Sequence, residues 1–309
     1  MLPPGGWSGT LRRRILILRP LDTPPLHGRA IADASRIGCG LRARRGRLSW
    51  ADDGVVGHVQ FGLARGIQTF DAAFRLVHDQ YVRYGYMAPS QSGRRLSLYD
   101  ALPTTKVFVA SAGGRVVGTV TLIQDSLVGL PMDEIYSTEL AAFRAGDRRL
   151  AEVSALAMDP AYRTSGVAIL MRLMRMMVIY AAEIARLDEL CIVVNPRHVA
   201  FYRQFLEFQT FGGFTSFGKV NGAPAAALRL GLGFVRDVID RVQRDPGEEN
   251  DLYEFLFGSE NYRRVMDRLI RHLCEPTLTA EWFAYFFPDD DTLGARRVGW
   301  QEERSSAFQ

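Results

Sequence analysis

The chain has 309 residues, 47% apolar, 23% charged and 11% aromatic, a balance that excludes a disordered tail or a fibrous repeat, and no apolar run approaches the roughly 18 residues that cross a membrane. This length predicts a soluble main domain with an appendage rather than three domains. The net charge of +4 is uneven: residues 1–50 hold ten Arg against Asp22 and Asp33, which leaves a mildly acidic body with no basic groove for nucleic acid.

Residues 1–54 are crowded with Pro, Gly and Arg, show no sustained apolar period and read as a flexible basic arm. Within the arm, Ile15-Leu16-Ile17-Leu18 stops at Arg19-Pro20, too short for a secretory segment. Cys39, Cys191 and Cys274 are odd in number and far apart, so neither a disulfide framework nor a metal site is expected and a cytoplasmic location fits. Residues 55–230 form the main domain. A strand is predicted at 58–63, then a helix capped by Thr69 that runs to about Tyr84, with Phe70, Phe74, Val77, Tyr81 and Tyr84 at helical spacing. The β-branched runs 106–111 and 115–124 flank Ala112-Gly113-Gly114, a hairpin signature.

Residues 125–149 carry no assigned element. A strand over 152–158 ends at Asp159-Pro160, followed by a helix over 166–187, a strand over 189–194, a short helix over 198–206 and a last hairpin over 208–230. That order predicts a mixed α/β sheet. Helices at 234–244, 261–272 and 279–286 form a helical C-terminal extension spanning 231–309, whose Trp282-Phe283 and Tyr285-Phe286-Phe287 cluster reads as a packing anchor or an acyl-chain wall.

The turn Arg163-Thr164-Ser165-Gly166-Val167-Ala168 sits between a strand and a long apolar helix. Small residues there let backbone approach a ligand closely, and the uncovered N–H groups of the helix start suit a pyrophosphate or phosphopantetheine. An ordinary capped helix would read the same way. The turn resembles the acyl-carrier motif of the GNAT acyltransferases. About 30 residues on, Asn195-Pro196-Arg197-His198-Val199-Ala200-Phe201-Tyr202, then Glu207-Phe208, is similar to the second GNAT signature, with Glu207 standing where that signature has Gly. The resemblance covers about residues 55–220. It implies a GNAT fold, a mostly antiparallel mixed sheet flanked by helices that parts between the strands at 152–158 and 189–194. Acyl-phosphopantetheine would lie in that cleft against the N–H groups of Leu156, Ala157 and Met158, beside Asn195.

Three further stretches, Leu102-Pro103-Thr104-Thr105-Lys106-Val107-Phe108-Val109-Ala110, Gly129-Leu130-Pro131-Met132-Asp133-Glu134-Ile135-Tyr136 and Arg148-Arg149-Leu150-Ala151-Glu152-Val153-Ser154-Ala155-Leu156-Ala157, resemble the long-chain N-acyl amino acid synthase family of the FeeM type, which is related to the bacterial autoinducer synthases. Those synthases carry Glu-x-Ser followed by Arg. Here Ala155 follows Ser154, which argues against homoserine-lactone synthesis. The resemblance implies transfer of a fatty acyl group from acyl carrier protein, or from acyl-CoA, to the amine of an amino acid, with no permanently bound cofactor.

Attack of an amine on a thioester needs a base, and a carboxylate in a dry cleft has the raised pKa such work requires. Glu152, on the cleft strand, is the candidate; the plainer reading is a surface carboxylate paired with Arg148 or Arg149. The resemblance implies that Tyr202 faces the thioester sulfur, although it could equally pack on Phe205 and Phe208. An acceptor carboxylate calls for the planar fork of an Arg, and Arg149 is preferred over Arg144, Arg75 and Arg83 because it precedes Glu152 by three residues. His78 reads as structural. A basic rim for the carrier protein would come from Arg163, Arg172, Arg175, Arg197 and Arg203. Residues 125–149 and the C-terminal helices are expected to wall an apolar acyl tunnel. The alternatives are acetyl-CoA-dependent N-acetylation and a non-catalytic acyl-carrier-binding module.

Overall fold

The computed structural model describes residues 58–162 and 166–245, residues 253 and 256–257, and residues 262–273 and 278–288. The expected arm over 1–54, the Arg163-Thr164-Ser165 part of the turn, Cys39 and Cys274 lie outside the described residues.

In chain order the elements are β1 (Gln60–Leu63), α1 (Gly66–Arg83), β2 (Lys106–Ala112), β3 (Arg115–Gln124), α2 (Asp133–Ala145), β4 (Leu150–Met158), α3 (Gly166–Ile179), β5 (Glu189–Val194), α4 (Val199–Phe205), β6 (Gln209–Thr210), β7 (Thr215–Phe217), β8 (Ala223–Gly231), α5 (Leu232–Arg244), α6 (Tyr262–Leu273) and α7 (Ala280–Phe286). The strands form one sheet in the order β1-β2-β3-β4-β5-β8-β6, with β7 pairing β8. Among the described pairings only β4 and β5 run parallel. This is a mixed, mostly antiparallel sheet flanked by helices, the architecture that the GNAT resemblance implies.

Both faces are apolar, as alternation along β2 shows: Phe108, Ala110 and Ala112 enter the core under α3 and α5, while Val107 and Val109 pack on α1 and α7. The second face continues as Ile123, Leu150, Cys191 and Ala227, which α2 covers with Tyr136 and Leu140. Burial pushes the Cys191 thiol well up, so it packs as a small apolar group.

Three expectations are corrected. Helix α1 begins at Gly66, with Arg65 as its extended N-cap, so Thr69 lies inside it and caps nothing. Residues 125–149 contain α2, which shows no apolar stripe in the sequence because only Tyr136 and Leu140 of its thirteen residues are buried and the backbone kinks at Tyr136. Helix α3 ends at Ile179 and continues as a π-helical turn, Tyr180–Ile184. The aromatic cluster of α7 packs on α1: Trp282 meets Phe70 and Phe74 edge-on with centroids 5.5 and 6.5 Å away, and Phe286 meets Phe74 at 5.3 Å.

Candidate active site

The cleft is written in the hydrogen-bond register of β4. It pairs with β5 only from Leu150↔Glu189 to Val153↔Ile192, and beyond that point the strands part. On its other side β4 pairs Ser154 with Thr121 but Ala157 with Thr119, so β4 carries one residue more than β3. Ala155, with φ of +49°, is at the centre of this bulge. The extra residue reverses the facing of the rest of the strand. Ala155 and Ala157 pack on Val77 of α1, whereas Leu156 and Met158 pack into the α3 side of the core.

Glu152 precedes the bulge and faces α2. It is only 3% exposed, and its Oε2 accepts the N–H of Met132, the residue that caps α2, at 2.7 Å. Burial pushes its carboxyl up to about 8, against the opposing pull of the Met132 N–H and of Lys219 and Arg95. The surface ion pair considered for it does not form. Arg148 instead meets Glu189 at 2.6 Å, and Arg149 donates to the Arg186 carbonyl at 3.1 Å while its own N–H donates to Asp188.

Where the strands part, a cavity of about 210 Å³ opens, reached by Glu152, Leu156, Ala157, Met158, Gly166, Asn195 and Tyr202. The structure therefore brings together most of the residues singled out from two distant motifs. Asn195 accepts the N–H of Arg197 and so caps the turn leading into α4. Tyr202, on α4, is 2% exposed and edge-on to Phe201 and Phe208; burial raises its phenol well above the usual range. A Cβ on Gly166 would stand 3.1 Å from the Cε of Met158, so the helix start and the cleft strand touch here. Ala168 packs toward the core instead, and the side chain of Val167 lies outside the described residues.

Arg149 is not brought to the site. It is exposed, and its contacts with Arg186 and Asp188 hold it at the rim where β4 begins. Arg144 is clamped by Asp125 and Asp133, and Arg75 by Asp71. His78 is structural, its Nδ1 on Asp79 and its Nε2 accepting the N–H of Ser90. Among the described residues, none of α5, α6 or α7 lines this cavity, whereas Pro131 of residues 125–149 does.

Sequence reading missed Tyr86 and Arg95 of the loop after α1 and gave no site role to Tyr81, Tyr84 and Lys219, all of which line the cavity. Tyr81 and Tyr84 recur at helical spacing and looked like ordinary core. Arg95 lies in a polar loop with no pattern to flag it. Lys219 sits in the turn between β7 and β8, one of only two lysines in the chain. Where the second motif lacks its Gly, Glu207 itself takes φ of +56°.

The family model for the N-acyl amino acid synthase FeeM matches residues 72–231, which is 160 of the 309 residues. The chain belongs to the FeeM family of N-acyl amino acid synthases. Among solved structures it is similar to FeeM, an N-acyl amino acid synthase from uncultured soil microbes, at 35% identity and a TM-score of 0.50, covering 57% of this chain and 91% of that one. Weaker likenesses include the AHL synthase LasI, at 17% identity and a TM-score of 0.44 over 66% of this chain and 95% of that one. Another is an acyl-CoA N-acyltransferase from Pseudomonas aeruginosa, at 11% and 0.40 over 55% and 98%. No curated protein matches the sequence. A member of the FeeM family is an acyltransferase. No helix among the described residues is long and apolar enough to cross a membrane.

Proposed function

We propose that the protein joins a long-chain fatty acyl group, delivered as a phosphopantetheine thioester on acyl carrier protein, to the amine of an amino acid. The observation that carries this reading is the buried carboxyl of Glu152 at the point where β4 and β5 part, inside a mostly apolar cavity. A carboxyl with a pKa of about 8 lies close to that of an amine, the match that efficient proton transfer requires.

In this mechanism the pantetheine runs along the unpaired edge of β4, beside Leu156, Ala157 and Met158, with its phosphate at the start of α3 near Gly166. Arg163, Thr164 and Ser165 would complete that cup. The deprotonated amine attacks the thioester carbon, and the carbonyl π electrons move to oxygen, held by a backbone N–H near Leu156 or Ala157. Glu152 takes the proton that the nitrogen sheds. The C–S bond then breaks, the oxygen's electron pair re-forms the carbonyl, and the products are an amide and a pantetheine thiol. Burial that raises the Tyr202 phenol makes outright proton transfer to a thiolate, whose thiol pKa is near 8.5, uphill. Tyr202 therefore serves by donating a hydrogen bond to the departing sulfur, and the thiolate takes its proton through solvent, which also receives the proton held by Glu152.

A long acyl chain is supported by the aromatic and aliphatic side chains that line the cavity, Tyr84, Tyr86, Phe217, Val220 and Pro224 among them. Each buried CH₂ contributes about 0.8 kcal/mol. An acidic carrier would be met by Arg197 and Arg203 near α4; Arg175 is already engaged on the Phe257 carbonyl. The reading places the enzyme in the cytoplasm, where its three cysteines stay reduced. Thiol release by the purified protein, with an amino acid and either a long-chain acyl carrier protein or acetyl-CoA, tests the proposal. Comparable efficiency with acetyl-CoA would overturn the long-chain assignment.

A further inference from the structure

Arg95 is a cation inside the cavity that the chemistry above leaves unused. Its backbone N–H donates to the Phe74 carbonyl at 3.1 Å, which pins the loop against α1, and its guanidinium lies over the Tyr81 ring at 5.0 Å. The adjacent Arg94 is spent on Asp71 and on the Tyr285 hydroxyl. By contrast, the Arg95 guanidinium has no hydrogen-bond or ion-pair partner among the described residues. It lines the same cavity as Glu152, and its positive charge favours the ionised forms of the Glu152 and Asp100 carboxyls. Asp100 is occupied by the N–H and hydroxyl of Ser97. The second cavity cation, Lys219, is partly neutralised by Glu134 at 3.0 Å.

A guanidinium presents five N–H donors in a plane, and the half-buried Arg95 offers them to an anion that enters the cavity. The anion could be the donor's phosphate or a group on the acceptor. The strand decides between them. Gly166 marks the phosphate end by its contact with Met158, and Met158 lies six positions beyond Glu152 on β4, about 20 Å of extended chain. Arg95 stacks on Tyr81, which packs beside Ala155 and Ala157, on the stretch of β4 that lies between Glu152 and Met158 and short of the phosphate end.

We propose that Arg95 binds the α-carboxylate of the acceptor amino acid with two parallel hydrogen bonds, and that this contact positions the α-nitrogen at Glu152 and selects amino acids over simple amines. The inference rests on the acyl-transfer reading above and names the acceptor's recognition group. It also replaces Arg149, which the fold holds outside the cavity. Lys219 also bears on Glu152, but as a point charge without the planar fork.

The test is steady-state kinetics of the full chain with a long-chain acyl carrier protein and matched acceptors that differ only in the carboxylate: L-phenylalanine with phenethylamine, and L-leucine with isoamylamine. Rates are taken well above the rise of the pH profile, so that any change in Glu152 ionisation drops out. Wild type should prefer each amino acid, and Arg95→Ala should raise its KM by about 10- to 100-fold, the worth of a charge-assisted contact. The amine's KM and kcat should change little, while kcat for the amino acid should fall as its nitrogen loses its positioning. Arg95→Lys, which keeps the charge and serves as the control for folding, should recover part of the preference. Equal losses for acid and amine in both variants, or a wild type indifferent to the carboxylate, would overturn the proposal while leaving acyl transfer standing. Absence of transfer to any amine by wild type would overturn both.

Discussion

The N–H of Met132 donates to Oε2 of Glu152 at 2.7 Å, joining the cap of α2 to the cleft strand twenty positions on. One hydrogen bond thus ties the proposed base to the segment that precedes the cleft strand. A single backbone donor orients the carboxyl, which has no ion-pair partner among the described residues, while burial keeps its pKa high.

Glu152→Gln keeps the size of the side chain and an acceptor for Met132 but removes the base. Turnover should fall by about 10²- to 10⁴-fold with little change in donor affinity. Single-turnover acyl transfer, alongside a binding titration with the acyl carrier protein, checks both parts. Turnover within a few-fold of wild type would move the base elsewhere.

The raised carboxyl of Glu152 also makes a signed prediction about pH. Its ordinary value is 4.5 and its folded value about 8, so the folded protein holds a proton that the unfolded chain has lost over that window. The stability it contributes is fully present below 4.5 and is lost as pH rises through 8. Thermal melts should therefore show wild type losing stability toward pH 8 and above, with Glu152→Gln losing less. The kcat/KM profile should rise across the same pH, since only ionised Glu152 accepts a proton.

Gly166 is where the proposed phosphate site meets the cleft strand. An added Cβ would reach 3.1 Å from the Cε of Met158, the far end of a side chain that can shift, but branched methyls would fill the helix start that the phosphate needs. Gly166→Ala should bind donor measurably and Gly166→Val should not, as read by titration with acyl carrier protein on a protein whose melt is unchanged. Equal binding by the two variants would sink the phosphate-cup assignment.

Glu207 adopts φ of +56° at an exposed position, a left-handed conformation that costs an L residue roughly 1–2 kcal/mol. Glu207→Gly should stabilise the protein by about 0.5–1 kcal/mol once the larger unfolded-state freedom of glycine is subtracted. Denaturant titration gives the number, and a loss of stability would refute the strain argument.

Trp282, 1% exposed among Phe70, Phe74 and Phe286, should cost about 3–5 kcal/mol on truncation to Ala. Because α7 packs on α1 and its described residues do not reach the cavity, acyl-chain preference should stay where it was, measured on whatever fraction folds.

Much of this fold was legible because its signals are local. The hairpin around Gly113-Gly114 and the strand ends at Asp159-Pro160 and Asn195-Pro196 each announce a boundary within a few residues, and the structure places elements there. Helix α2 was hidden because it lies flat on the sheet with only two buried side chains. In the site, the residues carried by contiguous motifs, Glu152, Gly166, Asn195 and Tyr202, were legible, and the structure lines one cavity with them. Arg95 and Lys219 were not, because each comes from an unpatterned loop and acquires its place through packing of α1 and β8 against the cleft. Arg149 was chosen for proximity in sequence, and a strand points residues three apart to opposite faces, so that proximity carried no spatial meaning.

Whether the chain makes N-acyl amino acids through Glu152 is decided by mass spectrometry of lipids from cells expressing the protein and, in parallel, Glu152→Gln. Wild type should yield new masses equal to a long-chain fatty acid joined by an amide to an amino acid, and the variant should yield far less of them. Acetylated amines as the sole new products, or N-acyl amino acids at equal levels from both proteins, would contradict the proposed function.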